Sequence, residues 1–179
     1  MRDDIERILL TEEQIHSRVH ELGAEISADY KGREPMFVGV LKGCFVFMAD
    51  LMRCVDMRCT MDFMAVSSYG AGTVSTGAVK INKDLSRDIA GKDIIIVEDI
   101  LDSGVTLSYL TKYLSGRDPA SIKIVTLLDK PSRRRADIHA DYSGFEVEDA
   151  FVVGYGLDYD EVYRNLPYIG ILKPEVYTK

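Results

Sequence analysis

The segment Ile94-Ile95-Ile96-Val97-Glu98-Asp99-Ile100-Leu101-Asp102-Ser103-Gly104-Val105-Thr106 concentrates the residue types that could do chemistry. Its aliphatic start reads as a buried parallel strand, which delivers the adjacent carboxylates Glu98 and Asp99 at its C-terminal end, where open α/β sheets place their ligands. Asp102 to Thr106 follow as a turn into a helix. Such a turn offers backbone N–H groups, hydroxyls and the positive end of a helix dipole to a phosphate. Carboxylates beside a phosphate repel it unless they grip sugar hydroxyls or a magnesium ion. The pattern therefore points to a phosphorylated sugar. An acidic pair after an apolar strand also occurs in receiver-type signalling domains, but the immediate Ser-Gly-x-Thr turn is unexpected there.

The elements that must position this segment follow from hydrophobic periodicity. Thr11 and Gln14 fit a capping box, and Ile15, Val19, Leu22 and Ile26 recur at helical spacing, predicting an amphipathic helix that ends near Lys31 and Gly32. Met36 to Leu41 predicts a strand, Lys42 and Gly43 a tight loop, and Phe45 to Val55 a helix. Thr60 to Val66 predicts a further strand, Ser67 to Gly77 a long mobile loop, and Val79 to Leu85 a short strand. Leu107, Leu110 and Leu114 mark a helix beyond Gly104, and Ile122 to Leu128 another strand. Asp129 to Asp149 reads as a polar stretch, with late strands at Phe151 to Val153 and Tyr168 to Leu172. Strands alternating with helices predict an α/β domain with a largely parallel sheet.

Composition narrows the function classes. A chain of 179 residues with 46% hydrophobic content suits one well-buried domain over residues 1–179. A formal charge of −7 argues against a nucleic-acid-binding face, and the one dense basic run, Arg133-Arg134-Arg135, reads as a solvated loop. Three cysteines, Cys44, Cys54 and Cys59, without a Cys-x-x-Cys pair signal neither a disulfide framework nor a zinc site. His16, His20 and His139 lie outside every segment of interest and read as surface residues. Met1 to Leu10 lacks the apolar run of a signal peptide, and no stretch approaches the roughly 20 apolar residues that span a bilayer. A cytoplasmic protein without membrane partners is expected.

The segment 94–106 resembles the phosphoribosyl pyrophosphate signature of the type I phosphoribosyltransferases. Leu41-Lys42-Gly43, Ser67-Ser68-Tyr69-Gly70, Lys130 and Phe151-Val152-Val153-Gly154-Tyr155-Gly156-Leu157-Asp158-Tyr159 extend the likeness to the family's hypoxanthine-guanine branch over nearly the whole chain. The resemblance implies a central, largely parallel twisted sheet flanked by helices, a small hood region and a mobile active-site loop. It further implies a magnesium-dependent transfer of the phosphoribosyl group to hypoxanthine or guanine, giving IMP or GMP and pyrophosphate, in a homodimer or homotetramer.

Roles carry over from the family residue by residue. Glu98 and Asp99 hold the ribose hydroxyls, directly or through magnesium, while Asp102, Ser103, Gly104, Val105 and Thr106 surround the 5′-phosphate. Leu41, Lys42 and Gly43 wrap the pyrophosphate with a non-proline cis peptide, and Arg164 contacts it from the opposite segment. Ser68 and Tyr69 belong to the closing loop. Lys130 donates to the 6-oxo group of the purine, Phe151 stacks on the base, Val152 meets its edge through the backbone, and Asp158 binds a second magnesium. Asp102 takes the proton from N7. Val105 departs from members that carry lysine there. Two rivals remain open: a sensor that keeps the sugar-phosphate pocket and binds nucleic acid, and a phosphoribosyltransferase for another base. A surface pairing of Arg164 with Asp160 or Glu161 competes with its pyrophosphate role.

Overall fold

The computed structural model describes residues 1–68 and 79–178, with the side chain of Ser68 excepted. In chain order the elements are β1 (Ile5–Leu10), α1 (Glu12–Asp29), β2 (Met36–Leu41), α2 (Phe45–Cys54), β3 (Thr60–Ser68), β4 (Val79–Lys83) and β5 (Asp93–Leu101). There follow α3 (Val105–Ser115), β6 (Ser121–Asp129), β7 (Tyr142–Glu146), β8 (Val152–Val153), β9 (Ile169–Leu172) and the single turn α4 (Pro174–Tyr177). The capping box forms as predicted: the Gln14 amide donates to Thr11 Oγ1 and the Thr11 amide to Gln14 Oε1.

Six strands lie in the order β4-β3-β2-β5-β6-β7, all parallel except β4, which runs antiparallel to β3. Successive residues of a strand face opposite sides of a sheet. Ile95 and Val97 of β5 therefore join Phe37 in one core with Val19, Leu22 and Ile26 of α1 and Phe47 and Leu51 of α2. Ile94 and Ile96 join Met36 and Val38 in a second core with Leu107, Leu110 and Leu114 of α3. Helices on both faces are why β5 reads as an unbroken aliphatic run rather than an alternating one.

A small antiparallel sheet, β1-β9-β8, forms the hood over a third cluster containing Val153, Tyr163, Leu166 and Leu172. β1 was not predicted. It pairs with β9 from Ile5↔Leu172 to Leu10↔Ile169 through two register irregularities, so its alternation is broken in the sequence. β7 lies inside the stretch read as polar. As the edge strand beside β6 it buries Tyr142 while leaving Glu146 exposed, and it needs little apolar sequence to do so. β3 continues to Ser68, two residues into the expected loop. Tyr69 and the rest of that loop fall outside the described residues. No helix among the described residues is long and apolar enough to cross a membrane.

Candidate active site

β2 pairs with β5 only from Met36↔Ile94 to Gly39↔Val97, whereas β5 and β6 stay paired as far as Leu101↔Asp129. Glu98 to Leu101 thus run on past the pairing with β2. With Leu41, Lys42 and Gly43 on one side and Ser103, Gly104 and Thr106 on the other, they line a cleft of about 300 Å³. The acidic pair sits in the C-terminal part of β5, as expected, and pairing with β6 extends the strand two residues beyond it to Leu101. The Leu41–Lys42 peptide is cis, as the resemblance implied. Gly43 approaches the acidic pair so closely that a Cβ there would fall on the Asp99 carboxylate.

Burial, then the neighbouring Asp99 charge, raises Glu98 well above the ordinary carboxylate range. Burial also pushes Asp99 up to about 6, against the opposing pull of the Ile100 amide and the Arg164 guanidinium. Two carboxylates held toward the neutral form by desolvation are a site that gains from a cation. Among the described residues no group of three or more His, Cys, Asp or Glu side chains gathers as a cage. This donor set suits magnesium, which takes one or two carboxylates and completes its shell from water and substrate phosphates.

The turn after β5 is braced from behind. Gly104, the residue before α3, has φ of +77°, and a Cβ on it would also strike the Ile138 side chain. Arg134 Nε donates to the Asp102 carbonyl at 3.0 Å and Nη1 to the Ile138 carbonyl at 2.7 Å. The same guanidinium pairs with Asp129, and the Arg135 and Ala136 amides both donate to the Ser103 carbonyl. The solvated loop expected from composition holds for Arg133 and Arg135, which are exposed, but not for Arg134, which is only 13% exposed and braces the turn after β5. Ser103 Oγ accepts the Val105 amide at 3.5 Å. Val105 opens α3 but is not part of the cleft lining.

A second cleft, of about 550 Å³, adjoins the first and shares Ile100 and Asp102 with it. Lys130, Phe151, Val152 and Asp158 all line it, as the sequence implied. Lys130 is only 4% exposed, against the alternative of a solvated loop lysine, and its ammonium donates to the Ala150 carbonyl at 2.5 Å. Burial lowers its pKa, while Asp102 and Asp149 pull the other way. Phe151 is half-exposed, stacked on Tyr177 with centroids 4.8 Å apart and met edge-on by Tyr159. Arg133 stands at the rim, with Nε 3.2 Å from Asp102 Oδ1 and Nη1 3.1 Å from Asp149 Oδ1.

Lys42 and Arg164 converge on one carboxylate. Lys42 Nζ lies 2.9 Å from Glu161 Oε2, and Arg164 Nη2 lies 3.5 Å from the same oxygen and 2.8 Å from Asp158 Oδ1. Arg164 Nη1 donates to the Gly156 carbonyl at 2.7 Å, while its buried Nε has no partner among the described residues. Its side chain lines a groove beside Phe45 and Tyr155 rather than the first cleft, and it reaches Asp99 through its charge. The surface pairing weighed at the outset is thus present with Glu161. Sequence reasoning gave no site role to Asp149 or Tyr177, read Arg133 and Arg134 only as a solvated loop, and named Glu161 only as a rival partner for Arg164. Only Glu161 had a usable signal, its three-residue spacing from both Asp158 and Arg164.

The model of the phosphoribosyl transferase domain family matches residues 8–160. The hypoxanthine-guanine phosphoribosyltransferase of Bacillus subtilis is 62% identical over 99% of this chain and 98% of its own length. The bifunctional protein TilS/HprT of Listeria monocytogenes is 56% identical over the whole chain, which spans 28% of that longer protein. A crystal structure of a hypoxanthine phosphoribosyltransferase from Staphylococcus aureus superposes with a TM-score of 0.97 at 55% identity, covering 100% of this chain and 97% of that one.

Proposed function

The chain belongs to the phosphoribosyltransferase family, in its hypoxanthine-guanine branch, and on that premise we propose that it moves the phosphoribosyl group of phosphoribosyl pyrophosphate onto N9 of hypoxanthine or guanine. The observation that carries this reading is the position of Asp102. It lines both clefts, so a sugar phosphate in the first and a planar base in the second would meet at its carboxylate.

In this reading residues 1–179 act as one domain. The turn from Asp102 to Thr106 takes the 5′-phosphate on backbone amides and hydroxyls. Glu98 and Asp99 hold the ribose hydroxyls, and with Asp158 they are the residues that would hold magnesium. Bound there, magnesium would stabilise charge growing on the departing pyrophosphate. Leu41, Lys42, Gly43 and Arg164 receive the pyrophosphate, and Ser68 and Tyr69 are the remaining substrate-binding residues of the reading.

The base stacks on Phe151, and its edge meets the backbone of Val152. Lys130 donates to the 6-oxo oxygen, a bond that the 6-amino group of adenine cannot accept. As the bond from C1 of the ribose to pyrophosphate breaks, N9 supplies the electron pair for the new bond. The proton on N7 passes to an Asp102 carboxylate oxygen. Such general-base help is typically worth roughly 10²- to 10⁴-fold.

The reading includes a cytoplasmic location and a homodimer or homotetramer. α2 turns Phe47, Met48 and Leu51 into the core while leaving Phe45 45% exposed, which supports an interface on that side. The deciding experiment offers hypoxanthine, guanine, xanthine and adenine separately with phosphoribosyl pyrophosphate and magnesium, and quantifies nucleotide and pyrophosphate. Turnover with the 6-oxopurines that disappears in Asp102→Ala is expected. Sugar-phosphate binding without turnover on any base would overturn the catalytic reading in favour of a sensor.

A further inference from the structure

The two cations assigned to pyrophosphate share a protein carboxylate. Glu161 Oε2 lies 2.9 Å from Lys42 Nζ and 3.5 Å from Arg164 Nη2, joining residues 119 positions apart in the chain. The local backbone is shaped to present it. Asp160 and Glu161 have φ of +50° and +63°, a left-handed conformation unfavourable for residues with a Cβ. The turn is held by the Glu161 amide donating to Asp158 Oδ2 at 2.9 Å and by paired bonds between Tyr159 and Val162. Neighbouring Asp160 has no ion pair among the described residues, and Asp158, though 2.8 Å from Arg164, has none with Lys42, so Glu161 is the carboxylate that joins the two cations.

We propose that Glu161 is a positioning residue for the pyrophosphate group, a built-in counter-anion that orders Lys42 and Arg164 and that pyrophosphate must displace from them. This inference rests on the pyrophosphate role given to Lys42 and Arg164 above. Competition of this kind weakens pyrophosphate binding and speeds its departure, while keeping two long cationic side chains near the geometry their ligand needs. Glu161 is 63% exposed at its side chain, and exposed pairs are weak. The effect on affinity is accordingly modest.

The test is calorimetric titration of the full chain with inorganic pyrophosphate and magnesium, comparing wild type, Glu161→Gln and Asp160→Asn. Both substitutions remove one negative charge at adjacent positions, so any general effect of charge appears in both. Glu161→Gln is expected to bind pyrophosphate roughly two- to five-fold tighter, the scale of an exposed pair, with Asp160→Asn near wild type. In a Lys42→Met background the advantage of Glu161→Gln should shrink toward that of Asp160→Asn. In turnover, Glu161→Gln should lower the KM for phosphoribosyl pyrophosphate without raising kcat. Equal effects of the two substitutions, or weaker binding in Glu161→Gln, would overturn the proposal. Failure of wild type to bind pyrophosphate at all would instead strike the underlying assignment of the site.

Discussion

Lys130 is the side chain to which the proposed function gives the choice of base. It is buried to 4% exposure, the only hydrogen bond of its ammonium among the described residues runs to the Ala150 carbonyl, and the ammonium lines the second cleft with donors to spare. A buried ammonium that keeps donors free favours a ligand with an acceptor at that place, because an unpaired buried donor is costly. Replacing Lys130 by Met removes the donor at nearly constant bulk. A hydrogen bond to a charged group is worth about 1.5–3 kcal/mol, so kcat/KM for hypoxanthine should fall roughly 10- to 150-fold while sugar-phosphate affinity holds. Steady-state kinetics with hypoxanthine, set beside calorimetry with phosphoribosyl pyrophosphate, separates the two. Gly43 makes the complementary case, since a Cβ there would collide with the Asp99 carboxylate. Gly43→Ala should weaken phosphoribosyl pyrophosphate binding at least about ten-fold, because Asp99 or the 41–43 loop must move. Unchanged affinity in the same titration would contradict that placement of the sugar.

At the scale of elements, the turn after β5 depends on a strut from another part of the chain. Arg134 reaches from the segment after β6 to the Asp102 and Ile138 carbonyls and to the Asp129 carboxylate. Arg134→Met would leave these acceptors partly buried without a donor, at about 1–3 kcal/mol each before relaxation. A net loss of about 2–4 kcal/mol is expected, a fall in Tm of roughly 5–15 °C for a chain of this size. Weaker sugar-phosphate binding should accompany it, because the turn loses its backing. Differential scanning calorimetry and ligand titration measure the two halves. No local pattern announces such a strut: three arginines in a row look alike, and only the fold makes Arg134 13% exposed and Arg133 49% exposed. The helix periodicities and the β2 boundaries were legible because local spacing encodes them, whereas Lys42, Lys130, Phe151 and Asp158 were legible only through the resemblance to the family's motifs, since each alone reads as an ordinary loop or core residue. β1 and β7 were not, since each depends on a partner strand distant in sequence, β9 for the first and β6 for the second.

At the scale of the whole molecule, two acidic side chains tie the β3–β4 edge of the large sheet to its surroundings. Asp62, at the start of β3, accepts the Ser86 amide at 2.6 Å, the Phe63 amide at 2.8 Å and the Lys83 ammonium at 3.1 Å. Asp84, just after β4, accepts the Tyr113 hydroxyl at 2.6 Å, which joins this edge to α3, and the Leu85 amide at 2.7 Å, and pairs with Arg117 just beyond that helix. Burial alone would raise both carboxyls, but their donors outweigh it and hold each below the ordinary value of 3.8. A carboxyl depressed in the folded state contributes stability that is fully present above its unfolded pKa and is lost as pH falls through the folded value. The protein should therefore lose stability progressively in acid, beginning near the ordinary carboxylate range, with this edge among the contributors. Asp62→Asn combined with Asp84→Asn should lower stability at neutral pH and flatten the dependence on pH below about 4. Urea unfolding followed by circular dichroism at a series of pH values checks both expectations, and a double variant with the wild-type acid slope would show that the edge does not govern acid unfolding.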